Sequence, residues 1–436
     1  MVQRAMADAS RQTPEMRRNE RLGIINGVCF AVSEAVSHPS LVLALLIRKL
    51  GGSLTLVGSL PVIQTVGYLL PQLLAAGYLR GQSHRLPLYR LTGILRIVML
   101  ALLTLVIGFT PLLPAGIAPW LVIACFAAYM FLGGITALAF QEVIAKVIPV
   151  ERRGRFFGRR QLLGGMLAFL VGALVVRRLL GDQSPLAFPL NFAALSAAST
   201  VCFAGCIIAF SRISEPPSPA VGAAMSPLAV IRSAPALLRG TPEYRWFIGA
   251  RLLTNAGRIA EPFYVIFATE QLGLSDGVAG LFIALWAVSG SLSNLVWGRL
   301  TDRRGNRPLI LASAALMVVA PSAMLILALL GAPPFTAIVV GLILVFLCTG
   351  AAVDGSNIAS VTYLMETAPE GNRSLYLGVS NTLLGIGAFI PLVGGWLVGR
   401  IGFAGVFATG MCLALCGLAA ATRVRAVRQA PAAVAT

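Results

Sequence analysis

Charged residues are scarce in this chain: they make up 11% of its 436 residues, whereas hydrophobic residues make up 57%. The mean hydropathy is +0.85. A soluble protein of this length needs a much larger polar surface, so the composition excludes that class. Histidine is also rare, with two residues, and no pair of residues has metal-ligand spacing. A metal site is therefore not predicted.

Nucleotide-binding and disulfide patterns are missing as well. Without a Walker A sequence, transport driven by ATP through this chain alone is not supported. The seven cysteines lie inside apolar runs, where free cysteine behaves as a small apolar residue. The first twenty residues are polar, so we expect no cleavable signal peptide. We predict no catalytic residues, no enzyme activity and no cofactor.

Positive charge is abundant, with a net value of +18, but its placement argues against nucleic acid as a partner. The arginines concentrate in the N-terminal tail, in alternate short loops and in the C-terminal tail. Five basic residues lie on the opposite side: Arg48, Lys49, Arg177, Arg178 and Arg400. This asymmetry predicts a multi-pass inner (plasma) membrane protein with both termini in the cytoplasm.

Windows of about twenty apolar residues predict an all-α membrane protein with twelve transmembrane helices. We number the predicted helices as spans 1 to 12, and their approximate limits are 22–47, 54–79, 88–109, 119–146, 161–180, 188–211, 246–271, 276–300, 307–330, 335–367, 374–400 and 402–421.

A proline-rich stretch, 212–245, separates two six-helix halves and reads as a cytoplasmic linker. We predict an N-terminal tail at 1–21, an N-terminal half at 22–211, a C-terminal half at 246–421 and a C-terminal tail at 422–436. The halves repeat each other, because Pro149 and Arg153 match Pro369 and Arg373 at an offset of 220.

The loop between spans 8 and 9 carries the most specific motif. It reads Gly298-x-x-x-Asp302-Arg303-x-Gly305-x-Arg307 between two apolar runs. The glycines are expected to let the two helix ends turn tightly. With the duplicated halves, the motif resembles the signature loop of the major facilitator superfamily of transporters, and the resemblance covers about residues 20–421. The matching loop of the N-terminal half has Gly81 where the acid would stand.

That resemblance implies that spans 1, 4, 7 and 10 line a central cavity. Glu34 lies thirteen residues past Arg21, about 20 Å deep at the rise of an α-helix. Ionisable or polar residues at a similar level on spans 1, 7 and 10 form the predicted coupling and substrate site: Glu34, His38, Arg258, Glu261, Asp354 and Asn357. A charge facing lipid at that level costs several kcal/mol, so these groups should face a polar interior or pair.

Two interpretations of these groups remain open. Glu34–His38 and Arg258–Glu261 each stand beside a proline, and either set could be an ion pair or hydrogen-bonded pair that only fixes packing. Alternatively, Glu34 or Glu261 carries a proton and Arg258 binds an anionic group or tunes the acid. Arg96 and Arg251 could line the cavity or extend toward the interface.

The loop residues are predicted to form a cytoplasmic gate: Gly298, Asp302, Arg303, Gly305, Arg307, Arg153 and Arg373. Asp302 is the only acid in its loop and is expected to pair with the basic start of span 5, at Arg155, Arg159 or Arg160. Arg153 and Arg373 occupy matching places in two loops, which favours a structural role over substrate binding.

Taken together, these patterns predict a monomeric secondary active transporter of a small solute, coupled to protons, in which the two halves give alternating access. A facilitated uniporter and a transporter-like membrane sensor are the alternatives. The substrate and the direction of transport do not follow from the sequence, although membrane arginines favour an anionic or zwitterionic solute over a neutral sugar.

Overall fold

A computed structural model describes residues 14–80, 82–114, 116–217, 227–368, 373–387 and 389–425, and these residues form an all-helical protein. In the N-terminal half, spans 2, 3, 4 and 6 are the helices Leu54–Arg80, Leu86–Gly108, Ala118–Val147 and Leu190–Ser211. Span 5 runs from Val150–Leu170 through a π-helical stretch, Val171–Val176, to Arg177–Leu180. The linker contains one further helix, Pro227–Gly240. In the C-terminal half, spans 8, 9 and 10 are Val278–Arg304, Asn306–Leu329 and Phe335–Thr367.

Within these described ranges, ten helices are long and apolar enough to cross a bilayer. Two features account for the difference from the twelve predicted spans. Span 7 is interrupted, and spans 11 and 12 follow each other in one run from Gly378 to Thr422, with a sharp bend where Gly402 adopts a φ of 70°. The predicted fold class is therefore confirmed, and the boundaries of the two halves stay a prediction.

Proline breaks the first helix of each half at the depth of the central cavity. Span 1 consists of Pro14–Val36, a π-helical turn at Pro39–Leu43, and Ala44–Lys49. Span 7 consists of Pro242–Ala256, a 3₁₀ segment at Gly257–Phe263, and Tyr264–Glu270. Proline lacks the N–H that a continuous helix needs, and it disfavours helical geometry in the residue before it. His38 accordingly has a ψ of 122°, and its carbonyl accepts N–H groups from the following turn.

The two halves pack tightly on the side of the molecule where span 1 ends, which we call the far side. There Arg48 Nε lies 2.8 Å from Glu270 Oε1, and Lys49 Nζ lies 2.6 Å from Asp276 Oδ2. The Arg48–Glu270 contact joins two positions that the internal repeat relates, since their offset of 222 is close to the offset of 220 between Pro149 and Pro369.

Glycine permits this approach of the two halves. A Cβ on Gly58 of span 2 would lie 2.5 Å from the carbonyl oxygen of Pro391 in span 11, and one on Gly280 of span 8 would lie 2.4 Å from the carbonyl oxygen of Gly172 in span 5. Gly58 and Gly280 also occupy matching places in the two halves. The far side is thus sealed by backbone against backbone.

The opposite side carries both ends of the described chain, and we call it the terminal side. Among the described residues, the side-chain hydrogen bonds on this side stay within each half. Asn19 exchanges hydrogen bonds with the backbone of Ser214 in the N-terminal half, and Arg307 donates to the carbonyl of Val424 in the C-terminal half. The central cavity lies on the terminal side of the far-side seal.

Candidate functional site

A cavity of about 680 Å³ lies between the two halves, within the usual range for small-molecule sites. Its far end is formed by prolines from four spans: Pro39, Pro61, Pro262 and Pro391. Toward the terminal side it is lined by Gln141 and Phe157. The ionisable acids and bases among its lining residues are Glu34, Arg96, Arg160, Arg258 and Glu261.

The C-terminal wall holds a closed ion pair. Arg258 Nε donates to Glu261 Oε2 at 2.6 Å, and Arg258 Nη2 donates to Glu261 Oε1 at 3.1 Å. The 3₁₀ segment places the two residues on one face, three positions apart, so that the fork of the guanidinium meets both carboxylate oxygens. Asn255 accepts a longer bond from Arg258 Nη1, at 3.4 Å. Both partners line the cavity, as the sequence predicted for this span.

The N-terminal wall carries charges from three spans without a close pair. Glu34 of span 1 is exposed to the cavity, and Arg96 of span 3 and Arg160 of span 5 are near enough to act on it electrostatically. Among the described side chains, neither arginine forms an ion pair with Glu34 within 4 Å. This wall therefore differs from the opposite one in having charges that are close but not joined.

Arg96 is held by aromatic rings instead of by an acid. Its guanidinium carbon lies 4.1 Å from the ring centre of Tyr129 and 4.5 Å from that of Phe203, the geometry of a cation–π contact. The residue is 6% exposed, and its buried Nε has no hydrogen-bond partner in the structure. The sequence left the placement of Arg96 open, and the fold puts it on the cavity wall. Arg251 does not line this cavity; it donates to Ser380 Oγ at 3.0 Å.

His38 lies at the break in span 1, behind the cavity lining. Its ring packs against Trp286 of span 8, with 4.6 Å between ring centres, and its buried Nδ1 has no hydrogen-bond partner in the structure. His38 is close enough to Glu261 and Arg258 to interact with both charges electrostatically. The predicted association of His38 with Glu34 is not seen as a hydrogen bond; the histidine instead faces the C-terminal half.

No residue of span 10 with a described side chain lines this cavity. Asp354 accepts a hydrogen bond from Asn294 of span 8, at 3.1 Å, and a Cβ on Gly290 would lie 2.8 Å from the carboxylate. It therefore faces the contact between spans 8 and 10, and Asn357 is exposed elsewhere on span 10. Counting residues gave the depth of Asp354 but not its direction, so the structure separates these two residues from the other predicted members of the site.

The signature loop is shorter than expected. Span 8 continues as helix through Gly298 to Arg304, and the turn is made by Gly305, whose φ of 76° favours glycine. The expectation that Gly298 shapes the turn is wrong, because it sits inside the helix with open space around it. Arg303 is exposed, and Arg307 donates to the carbonyls of Val424 and Thr422.

Two of the three predicted partners of Asp302 face other groups. Arg159 lies 3.4 Å from Glu20, and Arg160 faces the cavity. The side chains of Asp302 and Arg373 lie outside the described residues. Arg153 donates to the carbonyls of Ile148 and Ala145 at the end of span 4, which favours the structural role expected for it.

The sequence did not predict the ion pair and hydrogen bonds that Glu215 forms. It follows span 6, yet its carboxylate accepts the backbone N–H groups of Arg85 and Leu86 at the start of span 3, at 2.8–2.9 Å, and an N–H from Lys146 at 2.6 Å. Burial alone would raise the pKa of Glu215, but these bonds outweigh it and hold that pKa below its ordinary value of 4.5. The loop before span 3 carries Gly81 where the repeat has Asp302, and this was the signal that an acid from elsewhere in the chain could bind near it.

The chain resembles known transporters along its length. Residues 246–435 match the family model of the Major Facilitator Superfamily. A D-xylose–proton symporter has a TM-score of 0.67 at 17% identity, covering 95% of this chain and 98% of that one. A nucleoside transporter has a TM-score of 0.67 at 14% identity, covering 94% and 99%. The C-terminal half of the chain therefore matches the Major Facilitator Superfamily model, and the described chain as a whole has the fold of these solved transporters.

A protein of Deinococcus radiodurans named as a sugar efflux transporter is 31% identical over 172 residues, which is 38% of this chain and 42% of that protein. The chain thus spans about two-fifths of the length of this curated relative. Because the matched family and the structural neighbours are membrane transporters, the prediction that the chain is not an enzyme is confirmed.

Proposed function

We propose that the protein is a secondary active transporter that couples the movement of a sugar-sized polar solute to protons. The central cavity between two halves, sealed on the far side by Gly58 and Gly280, supports this proposal. The solute size is taken from the proteins it resembles, which are named for sugar efflux, xylose–proton symport and nucleoside transport.

The observation that carries the coupling is the Arg258–Glu261 pair at the break of span 7. While the pair is closed, the guanidinium neutralises the carboxylate. When the halves move and the pair opens in an apolar setting, an unpaired carboxylate is costly and binding a proton relieves the cost. Protonation is then tied to one conformation, which coupling requires. Asp354 and Asn357 have no part in this step.

Alternating access follows from the arrangement of the seals. The far-side ion pairs and glycine contacts would part as the terminal side closes. The loops at Asp302, Arg153 and Arg373 are the proposed contacts of the closed terminal side. The distribution of arginines supports an inner-membrane protein whose terminal side is cytoplasmic. A small solute and protons are its proposed partners, and a monomer is its proposed working form.

The test is uptake into proteoliposomes that contain the purified protein, with glucose, xylose, uridine and glucuronate as solutes. An imposed proton gradient should drive accumulation of at least one solute, and a protonophore should abolish that accumulation. Empty liposomes are the control. Equal flux with and without the gradient would identify a uniporter, and binding without flux would identify a sensor; either result contradicts the proposal.

A further inference from the structure

The charges on the cavity wall do not balance. Three arginines face two glutamates among the described lining residues, which leaves one positive charge in excess. Arg258 and Glu261 neutralise each other. The excess therefore belongs to the N-terminal wall, where Arg96 and Arg160 share the single carboxylate of Glu34. An uncompensated charge at this depth is unfavourable, so a bound anion would stabilise the wall.

Arg96 and Arg160 also each have an N–H donor without a hydrogen-bond partner. Nε of Arg96 and Nε of Arg160 are buried and have no hydrogen-bond partner in the structure. Buried donors are normally satisfied, and each one left open costs free energy. Arg160 has one weak protein contact, a 3.4 Å bond to Asn26 Oδ1. Guanidinium groups match carboxylates in shape, since their planar fork can donate two parallel bonds.

The positions of the two guanidinium groups are built into the fold. Arg96 is fixed between two aromatic rings, and Gly133 leaves it room, because a Cβ there would lie 3.2 Å from Arg96 Nη2. Arg160 lies 4.9 Å from the ring centre of Phe140, and a Cβ on Gly27 would lie 2.2 Å from its Nε. Aromatic support and missing side chains hold both cations without neutralising either.

The rest of the wall suits hydroxyl groups. Tyr68, Gln64 and Gln141 line the same cavity and can donate or accept hydrogen bonds. We infer that this wall is the subsite for the carboxylate of a sugar-sized hydroxy acid, bound between Arg96 and Arg160, with the neutral polar residues on its hydroxyls. This inference rests on the proposed function, for which it names the substrate class.

The test compares matched pairs of solutes that differ by one carboxylate: glucose with glucuronate, galactose with galacturonate, and xylitol with xylonate. Binding is measured by titration calorimetry on the full chain in nanodiscs, without a gradient. The acid of at least one pair should bind at least about tenfold more tightly than its neutral partner, as a charge-assisted hydrogen bond predicts. Equal or weaker binding of the acid in every pair, or binding by none of the acids, overturns the inference.

Variants locate the subsite. Arg160→Gln and Arg96→Gln should each remove the preference for the acid while keeping affinity for the neutral partner. Arg96→Lys keeps the charge but loses the planar guanidinium, so it should retain part of the preference for the acid. Arg251→Gln is the matched control, since Arg251 lies within span 7 but off this cavity. If Arg160→Gln or Arg96→Gln keeps the full preference, or if Arg251→Gln loses it, the carboxylate binds elsewhere and the assignment fails.

The two proposals fail separately. Preferential binding of the acid without gradient-driven uptake would support the subsite and contradict proton-coupled transport. Accumulation of a neutral sugar, with no binding of its acid, would support transport and contradict the subsite.

Discussion

The two walls of the cavity carry similar residues in different arrangements. On the C-terminal wall, one guanidinium and one carboxylate come from a single helical segment and form two hydrogen bonds, at 2.6 and 3.1 Å. On the N-terminal wall, Glu34, Arg96 and Arg160 come from three spans, and no pair within 4 Å forms among these described side chains. The two halves repeat in sequence, but the arrangement of charged side chains on their cavity walls does not repeat.

The difference separates two tasks. A closed pair is neutral and satisfied, so it can hold or release a proton only if a movement opens it. An unjoined cluster keeps charge and donors free, so it can receive a solute without first breaking a protein contact. Under the proposed function, the C-terminal wall would serve coupling and the N-terminal wall would bind the solute.

The largest effect is expected from Glu261→Gln. The amide keeps the size of the side chain but can neither ionise nor carry the proton, so gradient-driven accumulation should fall to the level of empty liposomes. Exchange of labelled for unlabelled solute across the membrane should persist, because the binding wall is unchanged. The measurement is uptake and counterflow in the same proteoliposomes. Accumulation at the parental level would show that Glu261 is structural.

The second effect concerns stability. Arg258→Gln leaves Glu261 without its partner, and breaking a fully buried pair costs about 3–5 kcal/mol. Since Arg258 is 31% exposed, solvent in the cavity should reduce the loss to roughly 1–3 kcal/mol.

Arg258→Gln combined with Glu261→Gln should recover part of this loss, as seen in thermal melts of all three variants and the parent. Additive effects in the double variant would mean that the two residues do not stabilise each other.

A pair outside the membrane sharpens the comparison. Glu215 is also paired and 1% exposed, but it lies away from the cavity. Glu215→Gln should lower the free energy of unfolding by about 1–2 kcal/mol, since it weakens the bonds to Lys146 and to two backbone N–H groups. Accumulation should continue, in contrast to Glu261→Gln. Loss of coupling in this variant would mean that pairing alone, not position on the cavity wall, makes an acid critical.

The contribution of Glu215 to the stability of the fold should also depend on pH. Its pKa in the folded protein is below the ordinary 4.5, so its stabilisation is present above pH 4.5 and is lost as pH falls through the lowered value. Melting temperatures of the parent and the Gln variant should therefore converge in acid and differ at neutral pH. A difference that stays constant into acid would contradict the ionised contact.

The smallest effect is expected from Glu34→Gln. With no close ion pair to break, its melting temperature should stay near that of the parent. The wall becomes more positive, so glucuronate should bind more tightly, by roughly threefold, or about 0.7 kcal/mol. Calorimetry with glucuronate and glucose measures this change, with glucose as the uncharged control. Weaker binding of glucuronate would show that Glu34 itself contacts the solute.

Local patterns predicted much of this molecule. Hydrophobic runs predicted the spans, and three-residue spacing beside Pro262 predicted the Arg258–Glu261 pair, because both depend on neighbours along one helix. The same counting misplaced Asp354, which has the right depth but faces span 8. Depth follows from the rise per residue, whereas direction depends on how a helix is rotated against its neighbours.

The sequence by itself determined the helical membrane architecture and the duplicated halves, since apolar length and repeated motifs are properties of the chain alone. Only the tertiary structure decided which charges meet. Arg96, Arg160 and Glu34 lie on three separate spans, and Glu215 reaches a loop 130 residues away. Such groupings arise from packing between helices, which no spacing along the chain records.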